Sequence, residues 1–154
     1  MAPRTVLLDS GPLGRATHPR AEQNREVRGW ISALVRAGAT VVLPEIIDRE
    51  HRRKLLHLGS TNSLLYLDEL KGNIAYEPLN TGAMLRAARL WAGARKRGLP
   101  TAPEDRLDVD VILAAQALEL SGGEDDEEVV VATTNPRHLS RFVDARHWRE
   151  IRAS

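Results

Sequence analysis

Three short, uninterrupted apolar runs constrain the fold of this chain more than any other feature of its sequence. They are Thr5–Leu8, Thr40–Leu43 and Val129–Thr133. Runs this short, without alternating polar residues, are typical of strands that are buried on both faces, as in a parallel sheet. Segments with helical spacing of apolar residues separate them, and such alternation predicts βαβ units. The sequence therefore predicts an α/β fold, a three-layer α/β/α sandwich around a central, mostly parallel β-sheet.

Capping and turn residues predict the bounds of the other elements. Helices are expected over about 21–37, from Pro44 past Leu56, over 60–72, 80–97, from Asp108 to Leu118, and over 136–142. A third strand is expected at 74–76, an exit turn at Asp9–Pro12, a loop at 98–105, and an edge strand in the tail near Trp148 and Ile151. No linker or repeat interrupts this pattern, so one domain over 1–154 is predicted.

Composition excludes several classes of protein. The chain has no cysteine, which excludes disulfides, thiolate zinc sites and a cysteine nucleophile. No stretch approaches the ~20 apolar residues of a membrane-spanning helix, and the first apolar run is too short for a signal peptide. We therefore expect a soluble, cytoplasmic protein without a membrane partner. The acidic run Glu124–Glu128 is expected to form a solvated loop.

Polar side chains gather where the predicted strands end. Asp9 directly follows the first strand and Asn135 closely follows the Val129–Thr133 strand. Asp110 lies in the first turn predicted for its helix, where the helix dipole favours a carboxylate. Glu50 lies about one and a half turns into the helix after the second strand. Ligands bind at the carboxyl ends of the strands in open α/β sheets, so these residues are the candidate site.

A cluster of three or more carboxylates needs a proton or a cation among them. Two carboxylates ~4 Å apart repel by about 4 kcal/mol at an effective dielectric constant of ~20. Oxygen ligands in a chain without cysteine favour Mg²⁺ or Mn²⁺. Such an ion polarises a phosphoryl oxygen and activates water for in-line attack. The pattern therefore predicts a divalent metal at this edge of the sheet.

Each candidate also has a purely structural interpretation. Asp9 suits a turn with Ser10 and Gly11; Glu50 suits an i,i+4 pair with Lys54; Asp108 suits a helix N-cap; Asp110 suits a first-turn acid; and Asn135 suits a left-handed turn before Pro136. Basic clusters such as Arg49/Arg52/Arg53/Lys54 and the arginines after 136 suit either phosphate binding or solvated helix faces. The histidines show no metal-ligand spacing.

The order of the motifs resembles the PIN domain, and within that family the VapC-type toxin ribonucleases of bacteria. The motifs are Leu7-Leu-Asp9, the Pro44-to-Lys54 segment with Glu50, Asp110-Val-Ile-Leu-Ala-Ala-Gln-Ala117, and Val131-Ala-Thr133-Thr-Asn135. The resemblance covers nearly the whole chain. It implies an α/β/α sandwich, usually in a homodimer, that cleaves RNA with Mg²⁺ or Mn²⁺ and is paired with an antitoxin.

The resemblance also assigns roles to individual residues. It implies Asp9, Glu50, Asp110 and Asn135 as catalytic residues and Asp9, Glu50, Asp110 and Asp108 as metal ligands, with Glu45 a weaker claimant to the role of Glu50. Where many PIN domains carry a fourth acid, this chain has Asn135 and His138. The alternative function is therefore a catalytically weak or inactive PIN-like domain that binds RNA or protein. A third interpretation is a receiver-type domain that is phosphorylated at Asp9. Such a domain needs an acidic pair beside the acceptor and a lysine after a late strand, and this sequence provides neither.

Overall fold

A sheet of five parallel strands lies at the centre of the fold in the computed structural model, which describes residues 4–98, 104–121 and 128–153. The strands are β1 (Thr5–Leu8), β2 (Thr40–Pro44), β3 (Ala75–Glu77), β4 (Val129–Thr133) and β5 (Ala145–His147). Their order is β3-β2-β1-β4-β5, and every neighbouring pair is parallel. The predicted parallel sheet is confirmed, with the two longest apolar runs beside β1.

Helices cover both faces of this sheet. They are α1 (Ser10–Ala16), α2 (Ala21–Arg36), α3 (Glu45–Leu58), α4 (Thr61–Asn73), α5 (Thr81–Lys96), α6 (Glu104–Ser121) and α7 (Pro136–Leu139), followed by a 3₁₀ turn at Trp148–Glu150. Successive strand residues point to opposite faces, so Leu8 packs in one core cluster with Val27 and Leu34 of α2. Leu7 packs in the other with Ile47 of α3 and Leu113 of α6. The α/β/α sandwich is thereby confirmed.

The segment after Asp9 is a helix, which corrects the predicted exit turn. Helix α1 begins at Ser10, and the Asp9 side chain caps it by accepting a hydrogen bond from the Ser10 N–H. Pro12 lies in its first turn, where a missing N–H is tolerated. The same Ser-Gly-Pro signals that are typical of turns therefore serve a helix N-terminus here.

The helix that carries Asp108 and Asp110 begins earlier than predicted. Helix α6 starts at Glu104, so Asp108 is not its N-cap and Asp110 lies in its second turn. Residues 99–103 of the predicted loop, and 124–127 of the acidic run, lie outside the described residues.

The C-terminal elements also differ from the prediction. Helix α7 ends at Leu139 rather than near Phe142, and the edge strand is β5, just before Trp148. Trp148 and Ile151 themselves are buried in the core. No helix in the described ranges is long and apolar enough to cross a membrane.

Candidate functional site

The strand order reverses between β1 and β4, and the candidate site lies at that edge. Strand β1 leads through helices to β2 on one side, whereas β4 pairs with β1 on the other side. Open α/β sheets bind ligands beyond the carboxyl ends of such strands. Asp9 follows β1 and Asn135 follows β4, so both predicted residues stand at this edge.

Hydrogen bonds hold the Asp9 carboxylate in one orientation. Its Oδ1 accepts from the Ser10 N–H at 2.7 Å, and its Oδ2 accepts from the Thr133 hydroxyl at 2.8 Å. The Thr133 Oγ1 in turn accepts from the Asn135 N–H at 3.1 Å. Because these bonds join Asp9, Thr133 and Asn135, they tie the end of β1 to the end of β4. Thr133 itself is buried. The protein itself therefore holds this carboxylate in one orientation.

Asp110 of α6 faces Asp9. Burial and, to a lesser extent, the negative charge of Asp9 raise the pKa of Asp110 to about 6, although the charges of Arg106 and Arg141 oppose the shift. The dipole argument for a first-turn acid is therefore wrong, because desolvation and a like charge dominate. Asp9 and Asp110 line one cavity of about 540 Å³ with Thr133 and Asn135.

Basic side chains line the same cavity. They are Lys54, Arg106, His51 and His138. Lys54 and Arg106 form no ion pair with any described acid. Burial and the charge of Lys54 lower the pKa of His51, whose Nε2 lies 2.8 Å from the Thr17 hydroxyl oxygen. The cavity thus combines two facing carboxylates with two cations that are available to an anionic ligand.

Glu50 and Asp108 lie in an adjoining groove. This groove shares Ser10, Lys54 and Arg106 with the carboxylate cavity. The buried Glu50 carboxylate is paired with Arg49 at 2.5 Å and with Arg53. The proposed i,i+4 pair with Lys54 is therefore absent within the described part of the chain. The structure brings Asp9, Asp110 and Asn135 together, and it places Glu50 and Asp108 beside them.

Two further residues have different positions from those their motifs suggested. The backbone of Asn135 is not in the left-handed region, since its φ is −141° and its ψ is 89°. Its side chain caps α7 by accepting a hydrogen bond from the Arg137 N–H. Glu45 lines neither cavity among the described residues; its carboxylate accepts from the Leu79 N–H at 2.8 Å and from the Tyr76 hydroxyl at 3.2 Å. Glu45 therefore joins α3 to the segment after β3, while Asn135 supports the rim of the cavity.

Solved structures share this architecture. The complex VapBC2 from Rickettsia felis, bound to a promoter DNA fragment, matches with a TM-score of 0.74 and 12% identity over 94% of this chain and 98% of that chain. FitAcB from Neisseria gonorrhoeae matches with a TM-score of 0.68 and 20% identity, over 94% of this chain and 99% of that chain. VapBC-1 from nontypeable Haemophilus influenzae matches with a TM-score of 0.68 and 18% identity, over 95% of this chain and 99% of that chain. The chain has a PIN-like fold.

Sequence identities this low show the fold alone. No family model and no curated protein matches the sequence. The PIN-like fold nevertheless confirms the resemblance that the order of motifs indicated. The structural similarity covers nearly the whole chain, including the elements that carry or precede the candidate residues Asp9, Glu50, Asp110 and Asn135.

The donor set of the carboxylate cavity suits a hard divalent cation. Asp9 and Asp110 supply carboxylates, and Thr133 and Asn135 add neutral oxygens. Within residues 4–98, 104–121 and 128–153 no three acidic or histidine side chains stand close enough to share one ion. Mg²⁺ commonly binds through one or two carboxylates and retains water. The carboxylate pair therefore fits such an ion, with Glu50 and Asp108 outside the immediate ligand set.

Sequence reasoning overlooked three contributors to this PIN-like site. Thr133 bridges Asp9 and Asn135, and its only signal was its place two residues before Asn135. A Cβ atom on Gly11 would lie 2.5 Å from the Thr134 side chain, so α1 and the end of β4 touch there. His51 was set aside because the histidines show no metal-ligand spacing, yet it lines the cavity.

Proposed function

We propose that this protein is a metal-dependent endoribonuclease that acts as the toxin of a type II toxin–antitoxin pair. The observation that supports the proposal most directly is the meeting of Asp9 and Asp110 in one cavity where the strand order reverses. Facing carboxylates are unfavourable without a cation. Lys54 and Arg106 beside them, which form no ion pair with a described acid, suit a phosphodiester backbone.

The residues of the cavity divide the work of such a reaction. Asp9 and Asp110 would hold Mg²⁺ or Mn²⁺, which when bound polarises a phosphoryl oxygen and lowers the pKa of water. Thr133 keeps the Asp9 carboxylate oriented. Lys54 and Arg106 would neutralise substrate phosphates, and Asn135 would position water or a ligand. Glu50 and Asp108 would act from the adjoining groove that they line, where a longer RNA would pass.

An antitoxin and a second copy of the chain are the proposed protein partners. The similar solved structures are named as VapBC and FitAcB complexes, two of them with DNA. A cognate antitoxin that covers the carboxylate cavity would silence the enzyme. Exposed leucines on α4 and α5, Leu65 and Leu85, offer apolar surface for the homodimer.

RNA cleavage with and without metal tests the proposal. Purified protein should cleave RNA in Mg²⁺ or Mn²⁺ and stop in excess EDTA. Asp9→Asn and Asp110→Asn should each lower the rate at least ~100-fold, because each removes a ligand charge. Glu22→Gln, which neutralises an exposed acid on α2, is the matched control and should cleave normally. Cleavage by both aspartate variants at the control rate would refute the mechanism.

The alternative is a PIN-like domain that binds RNA or protein without catalysis. The ion pairs of Glu50 with Arg49 and Arg53 favour it, since they neutralise a carboxylate that a second metal would use. Calorimetric titration with Mn²⁺ separates the two functions. A nuclease should show saturable binding that is lost in Asp110→Asn, whereas RNA binding with no metal binding supports the alternative.

A further inference from the structure

A second polar cavity adjoins the carboxylate cavity. Its volume is about 640 Å³, and it lies between α1, α3 and the first turn of α4. His51 lines both cavities. No carboxylate lines the second cavity among the described residues, so it differs in charge from the site already described. Its composition suits an anion rather than a cation.

The N-terminus of α4 opens into this cavity. Thr61, Asn62 and Ser63 line it, and the Ser60 side chain does not cap the helix. The N–H groups of Asn62 and Ser63 meet no acceptor within residues 4–98, 104–121 and 128–153. Unpaired N–H groups and the helix dipole make such an end attractive to phosphate.

Ser63 gives independent evidence that the cavity is built for a ligand. Its relative exposure is only 7%, yet its hydroxyl makes no hydrogen bond in the described part of the chain. The Ser63 hydroxyl is not among the fully buried, unpartnered side-chain atoms of the described residues, so it is reached from the cavity, where an anion would accept its hydrogen bond. The Ser63 hydroxyl and the two N–H groups are donors on the same helical turn.

His18 adds a donor from the opposite wall. Its Nδ1 accepts a hydrogen bond from the Arg20 N–H at 3.1 Å. The neutral ring must then carry its proton on Nε2. His18 lines the cavity, so we count this N–H among the donors available there, together with those of α4.

We propose that the second cavity is a phosphate subsite formed by the first turn of α4, with Asn62, Ser63 and His18 as its donors. Its phosphate chemistry stands on the contacts of this cavity alone. The source, a phosphate of the RNA next to the one cleaved between Asp9 and Asp110, rests on the proposed nuclease function. His51, at the boundary of the two cavities, would lie beneath the connecting nucleotide.

Asn62→Asp separates loss of phosphate binding from loss of folding. Asn62 is exposed, and a carboxylate in the first turn of a helix stabilises that helix while repelling an anion. Asn73→Asp places the same charge on an exposed residue at the other end of α4, ~16 Å away at 1.5 Å per residue. It is the matched control.

The first measurement uses inorganic phosphate without divalent metal. The amide signals of Asn62 and Ser63 should shift saturably in NMR spectra of the wild type and of Asn73→Asp. Asn62→Asp should bind phosphate at least ~10-fold more weakly while its Tm is equal or higher. Unshifted amides in the wild type, or equal affinity in Asn62→Asp, would overturn the subsite. A protein that binds phosphate here but cleaves no RNA would refute the proposed function and keep the subsite.

The second measurement identifies the source of the phosphate. Short RNA oligonucleotides with and without a 5′-phosphate are titrated into the Asp9→Asn variant to avoid cleavage. Equal shifts of Asn62 and Ser63 support an internal phosphodiester, as proposed. Shifts only with the 5′-phosphate would replace this source by a terminal phosphate, and shifts with neither RNA would exclude RNA as the ligand.

Discussion

Asp110 is the residue at which stability and proposed function oppose each other. In the folded protein, burial and the charge of Asp9 raise its pKa from 3.8 to about 6. Between these values the folded chain binds more protons than the unfolded chain, so the free energy of unfolding falls as pH rises. A shift of this size corresponds to about 3 kcal/mol, which solvent screening reduces to about 1–2 kcal/mol. The site therefore carries strain that a bound cation would relieve.

Asp110→Asn should consequently stabilise the metal-free protein at neutral pH. In EDTA at pH 7.5 we expect its free energy of unfolding to exceed that of the wild type by about 1–2 kcal/mol. The difference should shrink towards zero near pH 4, where the wild-type carboxyl is protonated in the folded state. Urea denaturation at the two pH values measures it.

Adding Mn²⁺ provides the complementary observation. It should raise the Tm of the wild type, because a ligand that binds only the folded state stabilises it, and should leave Asp110→Asn unchanged. If Asp110→Asn in EDTA at pH 7.5 had a lower free energy of unfolding than the wild type, the charge of Asp110 would not destabilise the metal-free protein.

Helix α1 shows how one glycine positions a whole element of the site. Helix α1 starts immediately after Asp9, and Gly11 lies against Thr134 at the end of β4. A Cβ atom there would approach two Thr134 side-chain atoms to 2.5 Å, so the helix or β4 would have to move. Such movement would misplace Asp9 relative to Thr133.

Gly11→Ala should therefore lower both stability and activity. We expect the free energy of unfolding to drop by about 1–3 kcal/mol, as for other overpacked contacts, with a loss of RNA cleavage. Gly29→Ala in α2 is the matched control, because nothing lies within 4 Å of its added Cβ. It should gain about 0.5–1 kcal/mol from its helix-interior position. Denaturation curves and cleavage rates check both; equal behaviour of the two variants would remove the packing argument.

At the scale of the whole molecule, the C-terminal segment closes the core against α2. The Trp30 indole N–H donates to the Ile151 carbonyl oxygen at 2.7 Å, and its ring meets Trp148 edge-on with centroids 5.5 Å apart. Trp148 is buried, with 2% exposure. Residues from opposite ends of the chain thus share one core cluster with β1 and β4. We expect the chain to unfold as a single domain.

Trp30→Phe tests this closure. It removes the hydrogen bond to Ile151 and should lower the free energy of unfolding by about 1–3 kcal/mol. Far-UV circular dichroism and tryptophan fluorescence should still report one coincident transition. Trp91→Phe on α5, whose indole makes no hydrogen bond to a described residue, should have a smaller effect. Two separate transitions in the wild type would contradict a single domain.

The sequence by itself determined the sheet and the residues at its carboxyl edge. Uninterrupted apolar runs such as Thr5–Leu8 and Val129–Thr133 have few alternatives to buried parallel strands. A residue that directly follows such a strand must lie at the sheet edge, so Asp9 and Asn135 were placed correctly from local pattern alone. The order of the motifs led to the PIN-like fold through its resemblance to that family.

Only the tertiary structure decided which polar groups meet and what each one contacts. The turn signals of Ser10–Pro12 suit both a turn and a helix N-terminus, and in the folded protein they begin helix α1, which Asp9 caps and in which Gly11 lies against Thr134. The start of α6 at Glu104 moved Asp110 from a helix end to a place opposite Asp9. Arginines on its own helix hold Glu50. Side-chain pairing depends on distances between elements that are far apart in sequence, and local patterns do not encode those distances.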